Sequence, residues 1–511
     1  MSDKFYITTP IYYINGNPHI GHSYTSIMAD IIARYKRLKG FNVFFLTGTD
    51  EHGLKIQRSA EKEGLSPQEF ADKMVEPFKK LTKILNITND DFIRTTEERH
   101  IKTVQILFQK LYEKGDIYKG TYKGWYCVPC ETFWSNSQLE EGKLCPECKR
   151  PVEEVSEESY FFKLSKYAPI IKKKIEENPN LCQPEWKRNE ILNRLSGEIK
   201  DLSISRTTFK WGIPVPFDDK HVIYVWFDAL INYLSAIDYF GENSSRKDYW
   251  PADIHLIGKE IAWFHSVIWP CMLYALDIPL PERIFSHGWL TIEGEKMSKS
   301  LGNVIDPFTI SEKFGTDALR YYLSSQINFG NDGDYSEKRL IEKYNADLAN
   351  CLGNLLNRTV SMIKKYFKDG LERVEIRDND CRELIELAQN LDRKVDEKYE
   401  NLELHNISKE IIKVGDAANL LIVKKEPWTL YKKGDINLLK EVMNTLMISL
   451  KEITLALYPL VPQKAQSMWS VLGLDNEIEK ETYEKLTAVF DNIEKFPIPK
   501  KKIVFPRLEE K

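Results

Sequence analysis

The sequence predicts an α/β protein: a parallel-sheet domain, split by an insertion, followed by an all-α helical bundle. Three observations predict it. Two β-branched and aromatic runs, Phe5 to Thr9 and Asn42 to Thr47, flank a helix-periodic stretch, Ser23 to Lys39, in the order of a βαβ unit. A segment with two Cys-x-x-Cys pairs then separates these runs from later strand-like ones. From about Tyr344 onward only helical periodicity remains.

Composition sets the outer bounds. A chain of 511 residues has room for three or more packed units. Hydrophobic residues at 42% and charged ones at 29% describe a globular protein. A formal net charge of -4 does not advertise a nucleic-acid binder, so any RNA contact must be a local basic surface. Eight cysteines are too few for a disulfide scaffold. No apolar run approaches the roughly 18 residues needed to span a membrane, and Met1-Ser2-Asp3-Lys4-Phe5 carries no signal segment, so the expected location is cytoplasmic.

The first strand closes at Pro10, and Ile14 to Pro18 with Asn15-Gly16 reads as a turn. The helix lines up Ile27, Ile31 and Tyr35, with Met28 and Ile32 beside them, and Gly40 is placed to stop it. Ligands of such sheets bind at the carboxyl ends of the strands. The residues there are His19, Gly21 and His22 at the helix start, and Thr49-Asp50-Glu51-His52-Gly53 after the second strand. A helix N-terminus favours phosphate through its N–H groups and dipole. Two imidazoles add donors, and Gly21 lets a flat base approach the backbone. On these residues alone, a tight turn with two exposed histidines remains an alternative.

Residues 64 to 117 read as largely helical, starting from Ser66-Pro67-Gln68-Glu69, with a strand at Phe92 to Thr95 and a helix face of Ile101, Val104, Leu107, Phe108 and Leu111. Cys127-x-x-Cys130 and Cys145-x-x-Cys148, fourteen residues apart, supply four thiolates at the spacing of a tetrahedral zinc site. Four protein ligands leave no open position, so the metal is read as structural. Redox-active pairs and incidental thiols are the alternatives. Cys182, Cys271, Cys351 and Cys381 are scattered and read as buried small hydrophobes. Further along, Lys166 to Glu177 reads as a helix, and Val222 to Trp226 as a strand, with Phe227-Asp228-Ala229-Leu230 opening a helix. Ile254 to Gly258 reads as a strand followed by a helix from Lys259. A strand-like stretch, Gly288 to Ile292, leads to Lys296-Met297-Ser298-Lys299-Ser300, a loop suited to closing over phosphates and neutralising a leaving pyrophosphate. Thr316 or Asp317 caps the next helix. Leu384, Leu387, Ala388, Leu391 and Val395 mark one bundle face, and Val442 to Leu457 forms a long apolar-striped helix.

His19-Ile20-Gly21-His22 and Lys296 to Ser300, in this order, resemble the paired signatures of class I aminoacyl-tRNA synthetases. With the segments between them, the chain from Phe5 to about Pro462 resembles the methionyl-tRNA synthetases. The resemblance implies a Rossmann-like catalytic domain in two halves, 1–117 and 221–292. It implies a connective insertion with one zinc knuckle at 118–220, a stem-contact region with the lysine-serine loop at 293–343, and an anticodon-binding bundle at 344–511. It implies ATP-dependent ligation of L-methionine to tRNA(Met), initiator included, through a methionyl-adenylate, with Mg2+ accompanying ATP. His19, His22, Lys296 and Lys299 would then be catalytic, Lys299 being the main loop cation. These four together with Gly21 and Ser298 would bind ATP. The methionine pocket would comprise Ile11, Tyr13, Asp50, Trp226, Ala229, Tyr233, Ile261, Phe264 and His265. Asp50 would pair with the ammonium group, and Tyr233 and His265 would place polar atoms near a sulfur that packs well on aromatic edges. Asn354 and Arg358 would hydrogen-bond anticodon bases, and Trp428 would stack on one. Read without the resemblance, these pocket aromatics are core residues and Trp428 a bundle-packing one. Some members carry an appended oligonucleotide-binding fold that dimerises; this sequence stops before one, so a monomer is expected. Two alternatives stand beside this reading: another class I synthetase without an editing domain, and a zinc-knuckle RNA-binding protein with an inactive nucleotide fold.

Overall fold

Strands β1 (Lys4–Thr8), β2 (Tyr12–Tyr13), β3 (Asn42–Asp50), β4 (Asp91–Arg94), β5 (Ile254–Gly258) and β6 (Ile284–His287) form one parallel sheet. It runs β6-β5-β1-β3, with β2 and β4 both pairing with β3. This is a computed structural model; it describes residues 3–509 except 129, 131, 135–138, 147, 242–243, 293–294 and 297–304, with backbone alone at 122–123, 132–133 and 295–296. Phe5, Tyr6 and Ile7 of β1, and Val43 to Leu46 of β3, are all buried. Both sheet faces are covered, which is why these strands read as unbroken apolar runs rather than alternating ones.

Helix α1 (Ile20–Leu38) crosses over between β1 and β3. It starts three residues before the expected Ser23, because the capping group is the His19 imidazole, which apolar periodicity does not register. Gly40 sits at φ +88, the left-handed conformation that ends a helix where an L side chain is strained. The Ser66–Glu69 capping box forms as the sequence predicts, with both reciprocal bonds present.

Strand Ile117–Cys127 pairs antiparallel with Glu153–Phe162 as a long ribbon carrying the four zinc-spaced cysteines at one end. The expected strand over Val222 to Trp226 is corrected. Asp218–Ile223 is a strand of a separate three-stranded sheet, outside the parallel one. Helix α2 (Val225–Leu230) starts two residues earlier than expected and takes in Trp226, since Tyr224 already has the extended backbone of a cap. Helix α3 (Thr316–Gln326) is capped by Gly315, at φ +88, rather than by Thr316 or Asp317, which lie inside its first turn.

The C-terminal part is built from α4 (Asn354–Tyr366), α5 (Leu404–Lys425), α6 (Pro427–Lys433), α7 (Ile436–Leu457) and shorter helices. One continuous core runs from the α1 face of the sheet into these helices. At the junction Asp30 of α1 binds Arg34 at 2.8 Å and Arg320 of α3 at 2.7 Å, all three nearly or fully buried. Burial disfavours the Asp30 charge, but Arg34 and Arg320 outweigh it and hold the carboxyl down at about 2. Arg320 also donates to the carbonyls of Pro459, Leu460 and Leu85. Beside this cluster Tyr35 stacks on Tyr399 at 3.6 Å and 9°. No described helix is long and apolar enough to cross a membrane.

Candidate functional site

A cavity of about 420 Å³ opens at the carboxyl ends of the central strands. His19, Gly21 and His22 line it, and so do Ile11, Tyr13, Asp50, Trp226, Ala229, Tyr233, Ile261 and His265. Residues from four separated stretches of chain therefore share one space. Phe264, the ninth expected pocket residue, does not line this cavity; it stacks on the far side of the site against Trp226, at 3.9 Å and 9°. Lys296 has its backbone in a short strand paired with Leu290–Ile292, while Ser298 and Lys299 lie outside the described residues.

The start of α1 is built by its two histidines. His19 Nδ1 accepts the Gly21 amide hydrogen at 3.1 Å, and His22 Nδ1 accepts that of His19 at 3.0 Å. The Ile20 amide donates to the Ile305 carbonyl and the His22 amide to that of His19. The expectation of open helix-terminal amides is thus corrected: these first-turn N–H groups are engaged. In a neutral ring whose Nδ1 accepts, the hydrogen resides on Nε2. An anion at this end of the cavity would meet imidazole N–H groups in place of backbone ones.

Of the stretch Thr49 to Gly53, only Asp50, the last residue of β3, lines the cavity. Glu51 turns into the protein, where it accepts from Thr49 at 2.7 Å, Arg94 at 2.8 Å and Thr96 at 2.6 Å. His52 Nδ1 lies 2.7 Å from Asp228, whose other oxygen is 2.6 Å from His100 Nε2. Asp228 is fully buried; burial works against its charge, yet His52 and His100 hold the carboxyl below its ordinary range. This bridge ties the Asp50 loop to α2, the helix that presents Trp226 and Ala229. The sequence reading did not find it, because Asp228 lies 176 residues from His52 and inside an apolar run.

On the opposite wall Tyr233 Oη and His265 Nε2 are 2.8 Å apart, both side chains buried. Burial lowers His265 to about 4, so it is neutral at ordinary pH. Lys55, Glu260, His287 and Trp289 also line the cavity and were not anticipated. His287 could have been noticed, standing with Gly288 at the end of β6, where a ligand belongs. Its Nε2 is 2.7 Å from Thr25 of α1 and its Nδ1 2.8 Å from the Gly288 carbonyl.

The four cysteines come together. Their sulfurs all lie within 4.8 Å of one another, with Cys127 to Cys148 at 3.5 Å and Cys130 to Cys145 at 3.9 Å. A tetrahedral ion with metal–sulfur bonds of about 2.3 Å would space its sulfurs by about 3.8 Å. The set is gathered closely enough to hold a metal ion. The remaining four cysteines are all buried, as expected. In the bundle Asn354 and Arg358 lie one turn apart on α4, Asn354 exposed and Arg358 half-buried. Trp428, 39% exposed, is on α6, which packs on α4 through the Tyr366–Tyr431 ring stack at 4.4 Å.

The family described as tRNA synthetases class I (M) matches residues 5–360. The chain is 50% identical over 511 residues to a methionine–tRNA ligase of Caldanaerobacter subterraneus, covering 100% of this chain and 80% of that protein. It is 49% identical over 487 residues to one of Thermotoga maritima, covering 94% and 77%. A Mycobacterium tuberculosis methionyl-tRNA synthetase solved with methionyl-adenylate superposes with a TM-score of 0.94 at 37% identity, covering 99% of this chain and 100% of that one.

Proposed function

The chain belongs to the methionine–tRNA ligases, class I tRNA synthetases, and from that membership we propose how its own residues divide the reaction. It catalyses the ATP-dependent ligation of methionine to tRNA through a methionyl-adenylate. The membership sets aside both a different class I synthetase and an RNA-binding protein with an inactive nucleotide fold. The single observation that carries the assignment of roles is that one cavity gathers His19, Gly21 and His22 together with Asp50, Tyr233 and His265.

In the first step a methionine carboxylate oxygen bonds to the α-phosphorus of ATP, and the bond to the bridging oxygen breaks, releasing pyrophosphate. Asp50 pairs with the methionine ammonium and so aims the carboxylate. Trp226, Ala229 and Ile261 enclose the thioether, beside Tyr233 and His265. Phe264 acts one layer out, holding the Trp226 ring by stacking. His19 and His22 stabilise phosphate charge through their Nε2–H groups, with Gly21 giving the base room. Lys296, Ser298 and above all Lys299 neutralise the pyrophosphate; ATP is taken with Mg2+, which supplies further charge neutralisation. In the second step the terminal ribose hydroxyl of tRNA bonds to the acyl carbon and AMP leaves. Catalysis of this kind is positioning and electrostatics.

Cys127, Cys130, Cys145 and Cys148 hold one zinc ion in a structural role, closing the end of the insertion's ribbon. Asn354, Arg358 and Trp428 read the anticodon of tRNA(Met), including the initiator. A cytoplasmic location goes with these substrates. Methionine-dependent ATP–pyrophosphate exchange, run across all twenty amino acids without tRNA, tests the pocket assignment. Exchange with methionine alone is expected. Exchange driven by another amino acid would remove the roles given to Tyr233 and His265.

A further inference from the structure

We propose that the buried carboxylate of Asp228, bracketed by His52 and His100, sets the span of the methionine pocket and with it the side-chain length the enzyme accepts; the proposal rests on the methionine–tRNA ligase reading. Asp228 lies on α2 between Trp226 and Ala229. Val225, Trp226, Ala229 and Leu230 line the catalytic cavity, while Phe227 and Asp228 do not. The short helix therefore turns one face to the ligand and its carboxylate to the protein behind. His52 and His100 do not line the cavity either, so all three act through other residues and are positioning residues.

Each oxygen of Asp228 meets one imidazole. Oδ2 is 2.7 Å from His52 Nδ1, and Oδ1 is 2.6 Å from His100 Nε2. An ionised carboxylate only accepts, so both ring nitrogens carry hydrogen. His100, on helix Glu98–Glu113, reaches further: its Nδ1 is 2.9 Å from Ser235 Oγ, on the short helix Asn232–Ser235 that carries Tyr233. One ring thus fastens both pieces of the thioether wall. His52 stands two residues past Asp50, in a turn tied down on its other flank. There the Glu51 amide donates to Thr95 Oγ1 at 2.9 Å, Trp211 Nε1 to the Glu51 carbonyl at 2.6 Å, and the Gly53 amide to the Trp211 carbonyl at 3.1 Å.

Asp50 anchors the ammonium group, and Trp226, Ala229 and Tyr233 enclose the far end of the side chain. The separation of these two ends is what a pocket must hold constant to reject a longer substrate. It is held by the chain His52–Asp228–His100, on the side away from the ligand. Charge-assisted hydrogen bonds are short and roughly twice as strong as neutral ones, which suits a spacer. One methylene in an apolar pocket changes kcat/KM by about 10–200-fold, and it does so only where the walls keep their distance.

Two amides in place of His52 separate the bond from the bulk. In His52→Asn the amide nitrogen falls where Nδ1 was and keeps the bond to Asp228. In His52→Gln it falls where Nε2 was, and the bond is lost while Asp228 keeps His100. ATP–pyrophosphate exchange gives kcat and KM for methionine, for ethionine (one methylene longer) and for ATP, and the melting temperature of each variant is taken alongside. His52→Gln should lower the ratio of kcat/KM for methionine over ethionine by about tenfold, within the range of one methylene, with the KM for ATP unchanged. His52→Asn should keep the ratio of the unsubstituted enzyme. An unchanged ratio in His52→Gln, an equal loss in both variants, or a KM for ATP that moves as far as that for methionine would each overturn the proposal. Should His52→Gln fail to fold, Ser235→Ala, which loosens His100 from the Tyr233 helix, is read in its place: a lowered ratio is expected, and an unchanged one overturns the proposal. Absence of methionine-dependent exchange in the unsubstituted enzyme would instead strike the ligase reading, before any variant is compared.

Discussion

Tyr233 Oη donates its hydrogen to His265 Nε2 over 2.8 Å. The direction follows from the far side of the ring, where Nδ1 gives its hydrogen to the Ile261 carbonyl at 3.0 Å. His265 is thus a neutral acceptor, and the tyrosine oxygen keeps its lone pairs for a ligand. Burial lowers His265 from the ordinary 6.5 to about 4. The unfolded chain therefore binds this proton first as pH falls. Stability contributed by the neutral ring is complete above about 6.5 and lost as pH drops toward 4. Methionine affinity should accordingly stay level from pH 8 to about 5 in calorimetric titrations. Tyr233→Phe strands a buried acceptor and should weaken methionine binding by about 1–3 kcal/mol with the KM for ATP unchanged. An affinity inflection near pH 6.5 that His265→Asn abolishes would contradict this account.

Lys299→Ala should slow methionine activation by about 10²–10³, the usual cost of losing one preorganised charge partner to a transition state. Single-turnover adenylate formation measures it. A rate close to that of the unsubstituted enzyme would assign the pyrophosphate to another cation.

Removal of zinc by a chelator, or Cys127→Ser, should lower the melting temperature and loosen the insertion. Metal analysis should find one zinc per chain before treatment. Hydrogen bonding from Cys130 holds the Cys127 thiol down at about 5, while the Cys127 partner pushes Cys130 well up. A chain that contains no zinc and melts identically with and without chelator would rule the site out.

Trp428→Ala should weaken tRNA(Met) binding by about 1–3 kcal/mol and leave adenylate formation alone. Filter binding and exchange assays separate the two. Equal loss in both would mean that the ring braces the bundle and reads no base.

Asp30→Asn should destabilise the protein by about 3–5 kcal/mol, because two buried arginines lose their shared counter-charge. Denaturant unfolding reads it directly. Loss under 1 kcal/mol would show that the Pro459 and Leu460 carbonyls suffice for Arg320.

The main strands and α1 were legible because Phe5 to Ile7 and Val43 to Leu46 are buried on both faces, which leaves a continuous apolar trace in the sequence. The start of α1 was less so, since imidazoles replace the usual Ser, Thr, Asp or Asn at its cap. The pocket residues carried no signal of their own. Tyr233 and His265 look like core residues, and they are buried like core residues; resemblance alone separated them. Glu51 and His52 sit beside Asp50 in sequence yet face into the protein, because partners far away in the chain, Arg94 and Thr96 for Glu51 and Asp228 for His52, draw them there. Arg320 reads as an ordinary helix charge. Nothing local reveals that its partner Asp30 lies on α1, almost three hundred residues earlier in the chain.

Helix α1 has 19 residues and is about 28 Å long at 1.5 Å per residue. Its first turn carries His19 and His22 into the cavity. Its last turns are fastened to the bundle by the Tyr35–Tyr399 stack and by Lys39 to Asp392 at 2.5 Å. It is a strut with one end at the cavity and the other against the helical bundle. A shift of the bundle that preserves those fastenings must tilt the strut, and the two imidazoles at its tip would swing with it.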